Sequence, residues 1–296
     1  MTVDPKEVSI PLLHGHLLGA VGPRPIALAS TMDTQGRPNL APFSFFNVFS
    51  ANPPIAIFSP ARRGRDNTTK HTYHNVKDTK EVVINIVNYD MVQQMSLSST
   101  EYPEGVSEFE KAGLTPIASE RVNPFRVAES PVSLECKVNE VIELGNQGGA
   151  GNLVVSEVLL MHIKDELIGE NGRIDQERID LVGRMGGNWY TRAHGSSLFE
   201  VQKPLSTLGI GVDSIPDDIR KSHILTGNDL GQLGNVETLP DETAVNEYKL
   251  TDLSDVFMRF DNDAQGLEEE LHTLAHALLT EGKVDEAWRT LLAFNN

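Results

Sequence analysis

Gly22-Pro-Arg-Pro-Ile-Ala-Leu-Ala-Ser-Thr31, then Gly36-Arg-Pro-Asn-Leu-Ala-Pro-Phe-Ser-Phe-Phe-Asn47, then Asn52-Pro-Pro-Ile-Ala-Ile-Phe-Ser-Pro60, is the stretch whose pattern sets the fold. Each run is short, apolar and bounded by turn formers, which is the pattern of strands rather than helices. Between the first two runs, Asp33-Thr34-Gln35-Gly36 reads as a hairpin turn, because glycine accepts a positive φ and Asp33 can bond its own backbone. Working outward, the same patterning predicts strands over residues 25–31, 40–50, 55–59, 81–87, 132–144 and 153–164, with helices near 69–76 and 90–98. Six or so strands with few crossover helices argue for an antiparallel barrel or sandwich, not a doubly wound sheet.

Composition narrows the function. The chain has 296 residues, 39% hydrophobic and 23% charged, an ordinary globular balance that excludes global disorder. Its 25 Lys and Arg face 42 Asp and Glu, a net charge of −17, which argues against nucleic-acid or anionic-membrane partners. An anionic ligand therefore needs a local basic pocket. The single cysteine, Cys136, cannot form an internal disulfide and fits a cytoplasmic setting. The N-terminus lacks the basic and apolar regions of a signal peptide. The apolar stretch over 10–29 is broken by Gly15, Gly19, Gly22, Pro23 and Pro25, so neither export nor membrane insertion is expected.

Charge also divides the chain. Residues 198–296 hold 7 basic and 19 acidic side chains, and carry a polar stretch with Gly209, Gly211, Gly227, Gly231 and Gly234. Leu267, Leu271, Leu274 and Leu278 then recur on one helical face, Gly282 interrupts, and the pattern resumes over 284–294, a helical hairpin. The expected division is a β domain over 1–197 and an acidic, α-helical extension over 198–296.

Ser44 and Asn47 set hydroxyl and amide groups beside Phe43, Phe45 and Phe46, a combination suited to a flavin, which needs flat apolar contacts and polar donors. In a single strand over 40–50, Phe43, Phe45 and Phe49 would share one side and Phe46 the other. Arg62-Arg-Gly-Arg-Asp-Asn-Thr-Thr-Lys-His-Thr72 puts three arginines and a lysine in a loop that runs into a helix, with Asn67, Thr68 or Thr69 as N-cap. Free N–H groups and the helix dipole there favour an anion, although the segment alone is equally an exposed, solubilising loop. Other signals are weaker. His14 and His16 flank Gly15 without a third ligand, and His272 and His276 lack the glutamate of a zinc-hydrolase helix, so no metal is expected. Gly145-Asn-Gln-Gly-Gly-Ala-Gly151 has no P-loop ending and reads as a mobile hairpin loop, and Cys136 reads as a small core hydrophobe.

From Gly22 to about Arg192 the chain resembles the flavin reductase-like family with the FMN-binding split-barrel fold. The matching pieces are Pro-Arg-Pro-Ile at 23–26, Asn-Leu-Ala-Pro-Phe-Ser-Phe-Phe-Asn at 39–47, Pro-Pro at 53–54, Glu-Val-Val-Ile-Asn-Ile-Val at 81–87, Tyr102-Pro, Glu-Phe-Glu-Lys-Ala-Gly-Leu at 108–114, Glu-Ser-Pro-Val-Ser-Leu-Glu-Cys at 129–136 and Gly-Arg-Met-Gly-Gly-Asn-Trp-Tyr at 183–190. The resemblance implies a mainly β, split Greek-key barrel with flanking helices, a homodimer, and FMN in a groove near the subunit interface. Carried over by position, it assigns cofactor contacts to Thr31, Pro42, Ser44, Phe45, Asn47, Arg63, Lys70, Thr72, Arg184 and Tyr190. Lys70 and Thr72 match a Lys-Asp-Thr triplet at the phosphate, with His71 replacing the aspartate. A second departure is Gly151-Asn152, where many family reductases carry an Asp-His pair near the nicotinamide; His162 is not at that position.

The resulting expectation is an FMN-dependent oxidoreductase passing hydride or electrons through flavin, with NAD(P)H as a donor left open by the absent histidine. The alternatives are an electron-carrying flavoprotein or the reductase component serving a partner monooxygenase. A further alternative, of another class, is a non-catalytic interaction protein with a vestigial barrel.

Overall fold

The computed structural model describes residues 1–103, 105–205 and 207–295. The chain divides into two compact units at the Phe199–Glu200 junction.

In chain order the first unit contains α1 (Ile10–Ala20), β1 (Ala27–Met32), β2 (Pro38–Phe43), β3 (Phe46–Ala51), β4 (Pro54–Phe58), α2 (His71–Thr79), β5 (Glu81–Ile86), α3 (Val92–Leu97) and α4 (Glu108–Ala112). There follow β6 (Pro116–Ile117), β7 (Arg126–Val127), β8 (Val132–Glu143), β9 (Asn152–Ile163), β10 (Val182–Arg184) and β11 (Tyr190–Arg192). Seven strands form one antiparallel sheet in the order β2-β1-β5-β8-β9-β4-β3. The turn at Gly36 takes φ +81°, and Gly36 N–H donates to Asp33 O at 3.1 Å, as the hairpin reading requires.

The run over 40–50 is not one strand. It breaks at Ser44–Phe45 into β2 and β3, which lie at opposite edges of the sheet yet are joined by two residues. A link that short can join opposite edges only if the sheet curls until its rims meet. Phe43 of one edge strand and Phe46 of the other accordingly enter the same core, with Ala27, Ala29, Phe58, Ile84, Leu134, Cys136 and Val154. The unpaired rims make the barrel a split one. The break also corrects the expected facing of the phenylalanines: Phe43 and Phe46 are buried, whereas Phe45 and Phe49 are exposed.

Period-two alternation builds a second core on the opposite face of β1, where Ile26 and Leu28 meet Leu40, Met91, Met95, Phe109 and Val182. Cys136 is fully buried, and burial pushes its thiol up to about 12, so it is an inert core side chain. The second unit carries α5 (Asp217–Arg220), α6 (Gly227–Leu233), α7 (Glu242–Thr251), α8 (Ser254–Arg259), α9 (Ala264–Thr280) and α10 (Val284–Leu292). Trp288 and Leu279 pack with Ile219 and Leu233, and the buried Trp288 indole donates to Leu233 O at 3.1 Å. Among the described residues no helix is long and apolar enough to cross a membrane.

Candidate functional site

The basic loop and the rim of the barrel meet at Lys70. Its ammonium lies 5.0 Å from the centroid of Phe43, one residue before the Ser44–Phe45 link. Burial first, and the Arg63 charge second, lower its pKa from the ordinary lysine value, against a smaller pull from Glu101. Among the described residues Lys70 Nζ has no hydrogen-bond acceptor. Burying an ammonium without an acceptor is unfavourable, so an anion bound here would be favoured.

Lys70 also occupies the N-cap of α2, in extended conformation, with no side-chain cap and no acidic residue in the first turn. The predicted caps are engaged elsewhere. The Asn67 amide donates to Asn146 O at 2.9 Å and its carbonyl accepts from Arg62 Nε at 2.8 Å. Thr68 Oγ1 bonds Asp66 at 2.6 Å, and Thr69 Oγ1 lies 2.7 Å from His74 Nε2. The helix therefore begins with open N–H groups beside an ammonium, the arrangement that draws phosphate. These residues fit the phosphate of a flavin mononucleotide.

Arg63 organises the loop instead of reaching freely into the site. Its Nε donates to Glu101 at 2.8 Å, and its Nη1 donates to Thr68 Oγ1 and Thr69 O. Arg65 is likewise paired with Glu101 and Asp66. The glycine-rich loop, expected to be mobile, is tied to this segment at three points: Arg62 N to Ala150 O at 2.8 Å, Gly149 N to Arg62 O at 3.0 Å, and the Asn67–Asn146 bond. A Cβ at Gly148 would lie 3.0 Å from Arg63 O and 3.1 Å from Gly64 O, so glycine there permits the close backbone approach.

Thr31 and Thr72 are fully buried and offer no surface to a ligand. They form an internal network in which Asn39 Nδ2 donates to Thr31 Oγ1 (3.2 Å) and Thr72 Oγ1 (3.0 Å), while Asn75 Nδ2 donates to Thr31 Oγ1 (3.1 Å). This network pins α2 across β1 and β2 and so fixes Lys70. The sequence reading did not single out Asn39 or Asn75 as a pair; their spacing from Thr31 and Thr72 carries no signal until α2 is laid on the sheet.

Pro42 and Ser44 are half-buried at the rim, Phe45 is exposed beside them, and Asn47 is exposed with its side-chain carbonyl accepting from Val48 N at 2.8 Å. Arg184 and Tyr190 are neighbours across β10 and β11, the guanidinium 4.6 Å from the ring centroid. They join a different group, centred on Arg24. This buried arginine donates to Leu18 O, Val21 O and Met185 O, capping the C-terminus of α1 and tying it to the β10–β11 hairpin. At its other end α1 approaches the glycine-rich loop through Ile10, and midway His14 meets the edge of Phe45, centroids 6.2 Å apart. No residue of α1 is buried.

Asn152, at the position of the family's Asp-His pair, is buried, its amide donating to Pro60 O at 2.8 Å. His162 is engaged with the buried Glu135, its Nε2 2.6 Å from Oε1. In the second unit, a larger hollow of about 780 Å³ between Glu200 and Thr238 includes none of the predicted site residues.

Comparison with known proteins shows the family. The sequence profile described as "Flavin reductase like domain" matches residues 20–178, and the chain belongs to that family. An uncharacterized protein of Aquifex aeolicus is 39% identical over 196 residues, 66% of this chain and 97% of the relative. Among solved structures, nitrilotriacetate monooxygenase component B from Bacillus cereus superposes with a TM-score of 0.62 at 30% identity, over 69% of this chain and 98% of that one. Pseudomonas fluorescens 2-nitrobenzoate 2-nitroreductase gives 0.63 at 25% identity, over 71% of this chain and 100% of the other.

Proposed function

We propose that the chain is a flavin-dependent oxidoreductase of the flavin reductase type that holds FMN by its phosphate at Lys70 and the open N-terminus of α2. The observation that carries this reading is the Lys70 ammonium, partly buried and without an acceptor at an uncapped helix start. Bound flavin supplies hydride and single-electron transfer. The chain's own part is to neutralise the phosphate with Lys70, to offer Ser44 and Asn47 as polar contacts, and to set Pro42 and Phe45 as apolar walls. Thr31 and Thr72, with Asn39 and Asn75, hold these parts in register. Arg63 acts through the loop it braces.

NAD(P)H is the proposed electron donor. A homodimer is the proposed assembly, supported by α1, which buries nothing, and by Val48 and Phe49, exposed on edge strand β3. The monooxygenase component among the similar structures favours a second reading, in which the reduced flavin serves a partner monooxygenase.

An absorbance spectrum of the purified chain, followed by NADH and NADPH oxidation with added FMN, tests the proposal. Yellow flavin bands and turnover with free flavin are expected. Flavin bands without turnover would favour an electron carrier. A colourless protein that binds no added FMN would leave the barrel as an interaction module and end the proposal.

A further inference from the structure

Glu108 poses the opposite problem from Lys70. Its side chain belongs to a residue only 7% exposed, yet the carboxylate accepts a single bond from another described residue, Leu40 N to Oε2 at 3.0 Å. Burial raises its pKa above the ordinary carboxyl value, against smaller pulls from the Leu40 and Glu108 amides and the His71 charge. Its second oxygen, Oε1, receives no bond from any other described residue and is not sealed in the core. Glu108 instead lines a cavity of about 310 Å³. That volume is within the range of small-molecule sites, about 300–1,000 Å³.

The long wall of the cavity is α2, from His71 to Asp78, and the turn after β1, Pro38 and Val106 close it. The one arginine in the lining, Arg37, is committed to Asp33, its Nε bonded at 2.6 Å. Asp78 is exposed and has no hydrogen-bonded or ion-paired partner among the described residues. Two carboxylates thus face the cavity without a fixed cation, Glu108 at the His71 end and Asp78 at the other. His71 and Asp78 are separated by two turns of helix, about 10.5 Å. Among the described residues no three His, Cys, Asp or Glu side chains are placed to hold a metal ion, so the charge calls for an organic cation. A cation with one positive group would leave the second carboxylate unanswered. An extended four-carbon diamine sets its nitrogens about 6 Å apart and reaches about 2.8 Å further at each end through charge-assisted hydrogen bonds, about 12 Å in all. That matches the span, and its methylenes would lie against Pro38 and Val106.

We infer that this cavity binds a short linear diamine, one ammonium on Glu108 and the other on Asp78. The inference is independent of the flavin reading. Calorimetric titration of the full-length chain with 1,4-diaminobutane, n-butylamine and 1,4-butanediol tests it, in mildly alkaline buffer where the amines keep their protons. The diamine should saturate one site and bind at least about tenfold more tightly than butylamine, and the diol should not bind. Asp78→Asn, at an exposed position, and Glu108→Gln should each bring the diamine down to the level of butylamine. Glu247→Gln, in the second unit, should leave its affinity within about twofold and so separates the site from general attraction to an acidic chain. No saturable binding, equal affinities for diamine and monoamine, or a diamine advantage that survives both cavity substitutions would overturn the inference.

Discussion

Lys70→Met separates a ligand-binding lysine from a structural one, because the two roles predict opposite signs. Methionine keeps a side chain of similar length over Phe43, where the ammonium now sits 5.0 Å from the ring centroid, and removes only the charge. Losing a charged hydrogen bond to phosphate costs about 1.5–3 kcal/mol, so FMN affinity should fall roughly tenfold to 150-fold. The flavin-free protein should behave oppositely. Its Lys70 carries a partly buried charge with no acceptor, and deleting it should stabilise the fold by on the order of 1 kcal/mol. The sign with pH follows from the lowered lysine pKa. As pH falls below the ordinary lysine range the unfolded chain takes up the proton first, so wild-type stability declines there and the advantage of methionine appears. In alkaline solution, with lysine neutral in both states, the two proteins should converge. Titration with FMN and with phosphate-free riboflavin, together with urea denaturation of the empty proteins, reads both signs. Equal weakening of FMN and riboflavin, or a less stable empty variant, would refute the reasoning.

Three further outcomes follow from the surrounding structure. Thr31→Val removes the acceptor of two buried amides and should cost about 2 kcal/mol in urea denaturation, more than Thr72→Val, whose hydroxyl accepts one of them. Burial raises the Glu108 pKa against the bond from Leu40, so folding loses stability as pH rises through the carboxyl's titration. Glu108→Gln should therefore raise the thermal midpoint by roughly 2 °C at pH 7 and leave it unchanged at acidic pH, in calorimetric scans of both proteins. Gly148→Ala drives a methyl group against the Arg63 and Gly64 carbonyls and should destabilise by about 1–3 kcal/mol, with a parallel loss of FMN retention on gel filtration.

What was legible in the sequence was whatever depends on local periodicity. The strands at β1, β4, β5, β8 and β9 announce themselves by alternation, and the hairpin at Gly36 by its turn chemistry. The break at Ser44 was hidden because neither glycine nor proline marks it: the chain leaves one rim for the other, and that choice is made by closure of the whole sheet. Helix α1 was hidden for a different reason. Its apolar residues are spread round the helix, broken by two histidines and two glycines, so it lacks the amphipathic period by which a surface helix is recognised. At the site, the basic loop and its helix were visible, whereas the identity of the N-cap was not. Asn67, Thr68 and Thr69 are all good caps by residue type, and only their tertiary partners reveal that each is spent elsewhere.

The two-residue bridge between β2 and β3 has a consequence for how the chain tolerates change. At about 3.5 Å per residue it acts as a short tether, holding the end of β2 to the start of β3. Lengthening the tether would let the cylinder unroll and turn Phe43 and Phe46 toward water, so engineered insertions belong at the Gly36 turn and not here.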